Sequence, residues 1–330
     1  MKATCVLVSG KRRAEVGEFE LPEPGEGQLL VRSVLTLVSP GTELRCWEGG
    51  EPGSDEYPFI PGYSAVGIVE RVGKGCSIRE GARVFGAGTQ LGSLRRQWGG
   101  HTSHALLAQS AARILPDEIS MTEACMAGLA AIAFRGFQMA RPLPGETAVV
   151  IGLGAIGQGS ARLFSMSGIR TVCLDLAEHR VRFARSAGLE AYAVEGSLKE
   201  TLARVLPDGA DIVVDATGTP ETVGHAVDLG RELPWDDAPK LGTRYVVQGS
   251  PGSVPIPYQR AFSGEMSFLF PRNYIGADIN AVTDLMARRK ISMADCVSEV
   301  RTPEQVQKTY EQLSDRTAPA VTMAFQWSAE

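Results

Sequence analysis

One short stretch constrains this 330-residue chain more than any other. Val149-Val150-Ile151 is an apolar β-type run that passes directly into Gly152-Leu153-Gly154-Ala155-Ile156-Gly157, and apolar residues then recur at helical spacing from Ile156 to Ser167. Glycine at 152 permits a tight turn, glycine at 154 lets the backbone approach a pyrophosphate, and glycine at 157 lets the new helix pack closely on the strand. The helix N-terminus then offers unpaired N–H groups to an anion. Spacing alone is a weak signal, because a chain with 37 glycines produces it by chance. The strand before and the helix after supply the context that the motif requires. Gly152, Leu153, Gly154, Ala155, Ile156 and Gly157 are therefore expected to bind a dinucleotide.

Asp175, at the end of the next β-type run, strengthens the expectation. Its carboxylate is suited to the ribose hydroxyls of the adenosine and would repel a 2′-phosphate, which favours NAD over NADP. Asp175 is also suited to capping a helix. Arg180 complicates the choice, since it can flank the adenosine of NAD or accommodate a phosphate.

Around this unit, strands and helices alternate. Strands are expected at Thr147–Ile151, Thr171–Asp175, Asp211–Asp215 and Arg244–Gln248. Helices are expected near Ile156–Ser167, Glu178–Ala187, Leu198–Leu206 and Glu221–Leu229. Such alternation builds a parallel sheet covered on both faces. A further helix is expected over Thr122–Met139, and Arg231–Leu241 reads as a surface insertion.

Residues 1–118 have another texture: 18 of the 37 glycines and short β-type runs separated by turn signals such as Glu23-Pro24-Gly25 and Ser39-Pro40-Gly41. They read as an irregular β-barrel or sandwich. From about Arg272 two helical patterns, Asp278–Arg289 and Pro303–Leu313, precede an apolar strand at Ala320–Phe325. The expected organisation is a β domain over 1–118, a nucleotide domain over 119–271 and a tail over 272–330.

Composition excludes several classes. A net charge of −5 with interspersed signs leaves no electrostatic footprint for nucleic acid or anionic lipid. No window approaches 18 uninterrupted apolar residues, so no membrane helix is expected. The run Ala3–Val8 is too short for a secretory segment, and six scattered cysteines do not form a disulfide framework, so a cytoplasmic setting is expected.

Nearly end to end, the chain resembles the medium-chain dehydrogenase/reductase superfamily. Pro61-Gly62-Tyr63-Ser64-Ala65-Val66-Gly67 with Val69-Glu70-Arg71-Val72-Gly73, Pro144-Gly145-Glu146 before the cradle, and Asp215-Ala216-Thr217-Gly218 with Pro220-Glu221-Thr222 carry the likeness. The resemblance implies an α/β architecture: a GroES-like β-barrel domain, a Rossmann doubly wound domain, and a tail that returns to the first. It also implies a homodimer. Thr217 and Arg272, the latter in Phe270-Pro271-Arg272-Asn273, are implied as cofactor contacts, with a solvated hinge arginine the alternative for Arg272.

The zinc alcohol dehydrogenases of this superfamily hold a catalytic zinc through a cysteine, a His-Glu pair, and a later cysteine or acid. Here Pro40 stands at the first position, Tyr63-Ser64 replace the pair, and Cys125 or Met126 falls near the third. Zinc wants thiolate, imidazole or carboxylate donors, and three of them even in an open site. No metal site is therefore expected. Within the superfamily, Ser39-Pro40-Gly41-Thr42-Glu43 and Pro61-Gly62-Tyr63 most resemble the zinc-lacking branch of bacteriochlorophyllide dehydrogenases, which oxidise a hydroxyethyl side chain.

Without a metal, a general base or hydrogen-bonding group must take the hydroxyl proton. By the resemblance, Thr42, Tyr63 and His104 fall in the catalytic region. Thr42 can instead satisfy a turn, Tyr63 can be apolar filler, and His104 an ordinary strand histidine. Glu43 is expected to order its loop, with the role of base as the alternative. His101 and His104, three apart in an expected strand, should lie on opposite faces. The expected function is a zinc-independent, NAD-dependent dehydrogenase acting on a small-molecule secondary alcohol or its ketone. The alternatives are an NADPH-dependent enone or quinone reductase and a non-catalytic nucleotide-binding protein.

Overall fold

The computed structural model describes residues 1–235 and 241–329. Residues 236–240 of the expected surface insertion thus lie outside the described residues. In chain order the strands are β1 (Lys2–Gly10), β2 (Arg13–Glu20), β3 (Gln28–Leu37), β4 (Ala65–Val72), β5 (Arg83–Gly86), β6 (His104–Ala108), β7 (Arg113–Ile114), β8 (Thr147–Ile151), β9 (Arg170–Asp175), β10 (Glu190–Ala193), β11 (Ile212–Asp215), β12 (Arg244–Val247), β13 (Ser267–Leu269), β14 (Val297–Arg301) and β15 (Thr322–Gln326). The helices are α1 (Pro40–Trp47), α2 (Met121–Cys125), α3 (Ala127–Ala140), α4 (Ala155–Met166), α5 (Glu178–Ser186), α6 (Leu198–Ala203), α7 (Pro220–Ala226), α8 (Tyr258–Ser263), α9 (Gly276–Ala287) and α10 (Val306–Ser314).

The chain forms two compact units, Met1–Leu129 with Ile275–Glu330, and Ala130–Tyr274. The boundaries expected at 118/119 and 271/272 therefore move to 129/130 and 274/275. One physical reason is Glu123 of α2. Its nearly buried carboxylate accepts from the amides of Met293 (2.7 Å) and Ala294 (3.1 Å) and from the Ser292 hydroxyl (2.8 Å), which ties α2 to the C-terminal segment of the first unit.

In the first unit, β3 is the central strand. It pairs antiparallel with β4 along its length, with β6 near its start and with β15 near its end, and β14, β5 and β7 extend the sheet. A β1–β2 hairpin completes the β structure. Along β3 successive side chains enter different apolar clusters, Leu29 and Val31 one and Leu30 another, while Val6 and Val8 of β1 pack in a third. Ser39-Pro40-Gly41, expected as a turn, instead starts α1 with Ser39 as N-cap and Pro40 in the first turn. Proline is tolerated there because its missing N–H would have no partner anyway.

The second unit is a six-stranded parallel sheet in the order β10-β9-β8-β11-β12-β13. Counted from β8, this is the 3-2-1-4-5-6 order of doubly wound dinucleotide-binding folds, whose ligands bind beyond the strand ends where the order reverses. That reversal lies between β8 and β11. Both faces are covered: Val150, Cys173 and Val214 lie in one core, and Val149, Leu174 and Val213 in the other. The α/β fold class is as the sequence indicates. No helix among the described residues is long and apolar enough to cross a membrane.

Candidate active site

The cradle is built by backbone. Gly152 leaves β8 with φ +86°, and its amide donates to Leu174 O at 2.9 Å. A Cβ on Gly157 would lie 1.7 Å from Gly152 O, so only glycine allows α4 to start so close to the strand. Gly154 is the N-cap of α4, no side chain caps the helix, and open space surrounds the Gly154 Cα. The first amides of α4, from Ala155, Ile156 and Gly157, are thus free to receive an anion. Leu153 is buried and directs its amide to Asp175 Oδ2 at 2.6 Å.

Asp175 ends β9, as expected, but its carboxylate also serves the turn. Oδ1 accepts from the Ala177 amide at 2.8 Å in an Asx turn ahead of α5, whose N-cap is Ala177 with no side-chain cap, so Asp175 does not itself cap the helix. Each oxygen keeps a lone pair for a hydroxyl. Arg180 Nη1 stands 3.7 Å from Asp175 Oδ2. Thr217, exposed after β11, donates to Asp215 Oδ1 through its amide (2.9 Å) and hydroxyl (2.7 Å), and Tyr245 donates to Oδ2 at 3.2 Å. Burial raises the Asp215 carboxyl above its usual range, against those three hydrogen bonds. Arg272 is exposed in the second unit. The residues present fit a dinucleotide.

In the first unit, three hydroxyls meet. Tyr63 follows the Pro61-Gly62 turn, and its phenol lies 2.5 Å from Ser39 Oγ and also hydrogen-bonds Thr42 in the first turn of α1. Burial pushes the phenol up to about 12, while the bonds from Ser39 and Thr42 pull the other way. The ring meets the half-exposed Trp98 edge to face, with centroids 5.3 Å apart. Ser39 is not among the expected site residues; the sequence marks it as part of a turn and of the Ser39–Glu43 likeness alone.

Glu43 and His101 lie beneath this cluster, each 0% exposed. Glu43 Oε1 accepts from the Ser39 amide at 2.7 Å, and Oε2 accepts from His101 Nε2 (2.7 Å) and the Tyr310 hydroxyl (2.9 Å). The carboxylate therefore orders the loop from inside. His104 lies elsewhere. It opens β6 opposite Arg32, four residues along β3 from Thr36, and pairs with Glu70 at 3.2 Å. Burial, with Arg32 and Arg71, lowers its proton affinity against the pull of Glu70. The structure does not bring it to Tyr63. His101 sits in the loop before β6, so the expected two-faced strand pair does not form.

The remaining positions at issue for a metal are also packed. Ser64 Oγ donates to Cys125 O at 2.7 Å, Cys125 and Met126 are fully buried, and burial raises the Cys125 thiol. Among the described residues no group of three or more histidine, cysteine, aspartate or glutamate side chains could hold a metal ion.

Residues 148–236 match the TrkA-N domain family. Over 326 residues the chain is 27% identical to a 2-desacetyl-2-hydroxyethyl bacteriochlorophyllide A dehydrogenase of Rhodobacter capsulatus, with 94% of each chain covered. The fold matches an alcohol dehydrogenase of Escherichia coli complexed with NADH (TM-score 0.84, 17% identity, 98% of this chain and 99% of that one). It also matches a zinc-binding dehydrogenase of Sinorhizobium meliloti bound to NADP (TM-score 0.84, 21% identity, 99% of both chains). The chain has the fold of the medium-chain dehydrogenases and reductases, and it is an oxidoreductase. This oxidoreductase carries its nucleotide-binding domain in the second unit, and the hydroxyl cluster in the first.

Proposed function

We propose that this oxidoreductase is a zinc-independent, NAD-dependent dehydrogenase that interconverts a secondary alcohol and its ketone. The observation that carries the reading is the Tyr63-Ser39-Thr42 cluster. It stands on the segments that hold zinc in the metal-dependent members of the superfamily. Pro40, Tyr63 and Ser64 offer no thiolate, imidazole or carboxylate, and the buried Cys125 would be one donor where even an open site needs three, so these residues do not fit zinc. The Rhodobacter relative, whose named substrate carries a hydroxyethyl group, supports alcohol chemistry. Asp175 supports NAD, because a second negative charge at the ribose would meet a nearly buried carboxylate.

NAD, when bound, supplies the hydride acceptor, and the cradle amides and Asp175 are the groups that would hold it. Tyr63 binds the substrate oxygen. Its phenol, held up to about 12 by burial, keeps its proton at neutral pH and donates it to a ketone oxygen as the alcohol forms. In the oxidation direction the phenol proton first passes through the Thr42 hydroxyl, which gives up its own proton to solvent water, and the phenolate of Tyr63 then takes the alcohol proton. Ketone reduction is thus flat near neutral pH and declines only as the phenol ionises, whereas alcohol oxidation climbs with pH. We extend the proposal to a small-molecule alcohol or ketone as the substrate, a homodimeric assembly and a cytoplasmic setting.

Tyr63→Phe tests the reading. It should lower kcat about a thousandfold in both directions, as loss of a general acid–base does, while nucleotide affinity by calorimetry stays within about twofold. Wild-type turnover in that variant would overturn it. A second reading, NADPH-dependent reduction of an enone or quinone, is favoured by Arg180, placed beside Asp175 where a 2′-phosphate would sit. Comparing kcat/KM for NADH and NADPH across ketones and enones separates the two.

A further inference from the structure

The two segments that carry the hydroxyl cluster are joined by a residue outside both. Ser39 and Thr42 open α1, and Tyr63 follows the Gly62 turn. His101 holds each of them. Through Nε2 it bonds Glu43 Oε2 at 2.7 Å, and the other oxygen of Glu43 accepts from the Ser39 amide at 2.7 Å. On the second side, the imidazole lies directly against Gly62. A Cβ there, on a backbone with φ +88°, would stand 2.8 Å from His101 Cδ2 and 2.9 Å from Nε2. The contact is reinforced by backbone, since the His101 amide donates to Pro61 O at 3.0 Å and the Gly100 amide to Gly62 O at 2.7 Å.

The ring itself is fixed on every side. Nδ1 meets Thr36 Oγ1 at 2.7 Å, Trp327 Nε1 donates to the same hydroxyl at 2.9 Å, and Phe325 packs edge-on with centroids 5.1 Å away. One proton arrangement satisfies all these groups. The indole donates to Thr36, the Thr36 hydroxyl donates to Nδ1, and Nε2–H donates to a Glu43 carboxylate that also receives the Tyr310 hydroxyl. All members belong to the first unit.

We infer that His101 is the positioning residue of this active site: by clamping Glu43 against the Gly62 turn it sets Ser39 at bonding distance from Tyr63. Tyr310 and Trp327, from the C-terminal segment, complete the clamp. The assignment rests on the proposed role of Tyr63. It gives a function to a buried histidine that touches none of the reacting atoms, and to a glycine that must remain side-chain-free beside it.

The test compares His101→Gln, His101→Leu and Tyr310→Phe with the wild-type enzyme. Glutamine can still present an N–H to Glu43, whereas leucine cannot. With a misplaced proton donor, His101→Leu should lose about a hundredfold in kcat. His101→Gln should recover to within about tenfold of wild type, with KM for the alcohol and for NAD nearly unchanged in both. A crystal structure of His101→Leu should show Ser39 Oγ and the Tyr63 oxygen beyond hydrogen-bonding distance. Wild-type kcat in His101→Leu, equal losses in the leucine and glutamine variants, or a retained Ser39–Tyr63 bond would overturn the inference. Should His101→Leu fail to fold, Tyr310→Phe decides. It should lower kcat about tenfold at constant KM, and an unchanged kcat would refute the clamp. If the wild-type enzyme oxidises no alcohol, the functional reading fails by itself, and the Ser39–Tyr63 distance in the variants still decides the positioning claim.

Discussion

Two buried or nearly buried carboxylates show how differently the two units build their sites. Asp175 is held by the amides of Leu153 and Ala177, which belong to the turns beside its own strand. Glu43 is held by the Ser39 amide nearby, but also by His101 and Tyr310, which lie 58 and 267 residues along the chain. The first carboxylate is positioned by local backbone and keeps lone pairs for a ligand. The second is positioned by remote side chains and spends its oxygens inside the protein. A nucleotide cradle of the first kind tolerates side-chain change around it but not a Cβ at Gly152 or Gly157. A cluster of the second kind depends on side chains whose partners come from several loops.

The largest effect that separates the two is steric. Gly157→Ala places a methyl group 1.7 Å from Gly152 O, so α4 must shift away from β8. The overpacking cost of about 3 kcal/mol should appear as a roughly hundredfold weaker nucleotide affinity by calorimetry, with the first unit unchanged. An alanine variant with wild-type affinity would break the comparison. A smaller effect follows from charge. Asp175→Ser should raise kcat/KM for NADP relative to NAD by about tenfold, corresponding to about 1.4 kcal/mol; an unchanged ratio in steady-state kinetics would remove Asp175 as the discriminator.

The smallest effect belongs to His104. Its replacement by glutamine should leave kcat within about twofold, because it pairs with Glu70 away from Tyr63. Its signature is in stability. Burial lowers its proton affinity in the folded protein, so the unfolded chain binds the extra proton first as pH falls through the ordinary histidine range near about 6.5. The wild type should therefore lose more Tm than His104→Gln on acidification across that range. A steeper loss in the variant would contradict the sign.

Legibility in the sequence followed the same division. The cradle reads directly because its chemistry lies in consecutive residues, and β8 matches its expected strand Thr147–Ile151 residue for residue. β2 is not marked in the sequence: Arg13–Glu20 carries charges at four of its eight positions and becomes a strand by pairing with β1. α1 was hidden because Ser39-Pro40-Gly41 is turn chemistry and helix-start chemistry at once. Tyr63 and Thr42 were recognisable by register within the superfamily, and the structure brings them together with Ser39. His101 was not recognisable, since nothing in Gly99-Gly100-His101 indicates that its partners are Thr36, Glu43 and Gly62. The available signal was the run of glycines before it, which permits the close approach to Gly62.

If the hydroxyls of Tyr63, Ser39 and Thr42 do here what a metal ion does in the zinc-dependent enzymes, turnover is independent of metal content. Enzyme stripped with chelator and verified metal-free by elemental analysis should retain the full NAD-linked turnover of a secondary alcohol, and added zinc should not increase it. Loss of turnover on stripping, restored by one equivalent of zinc per chain, would contradict it.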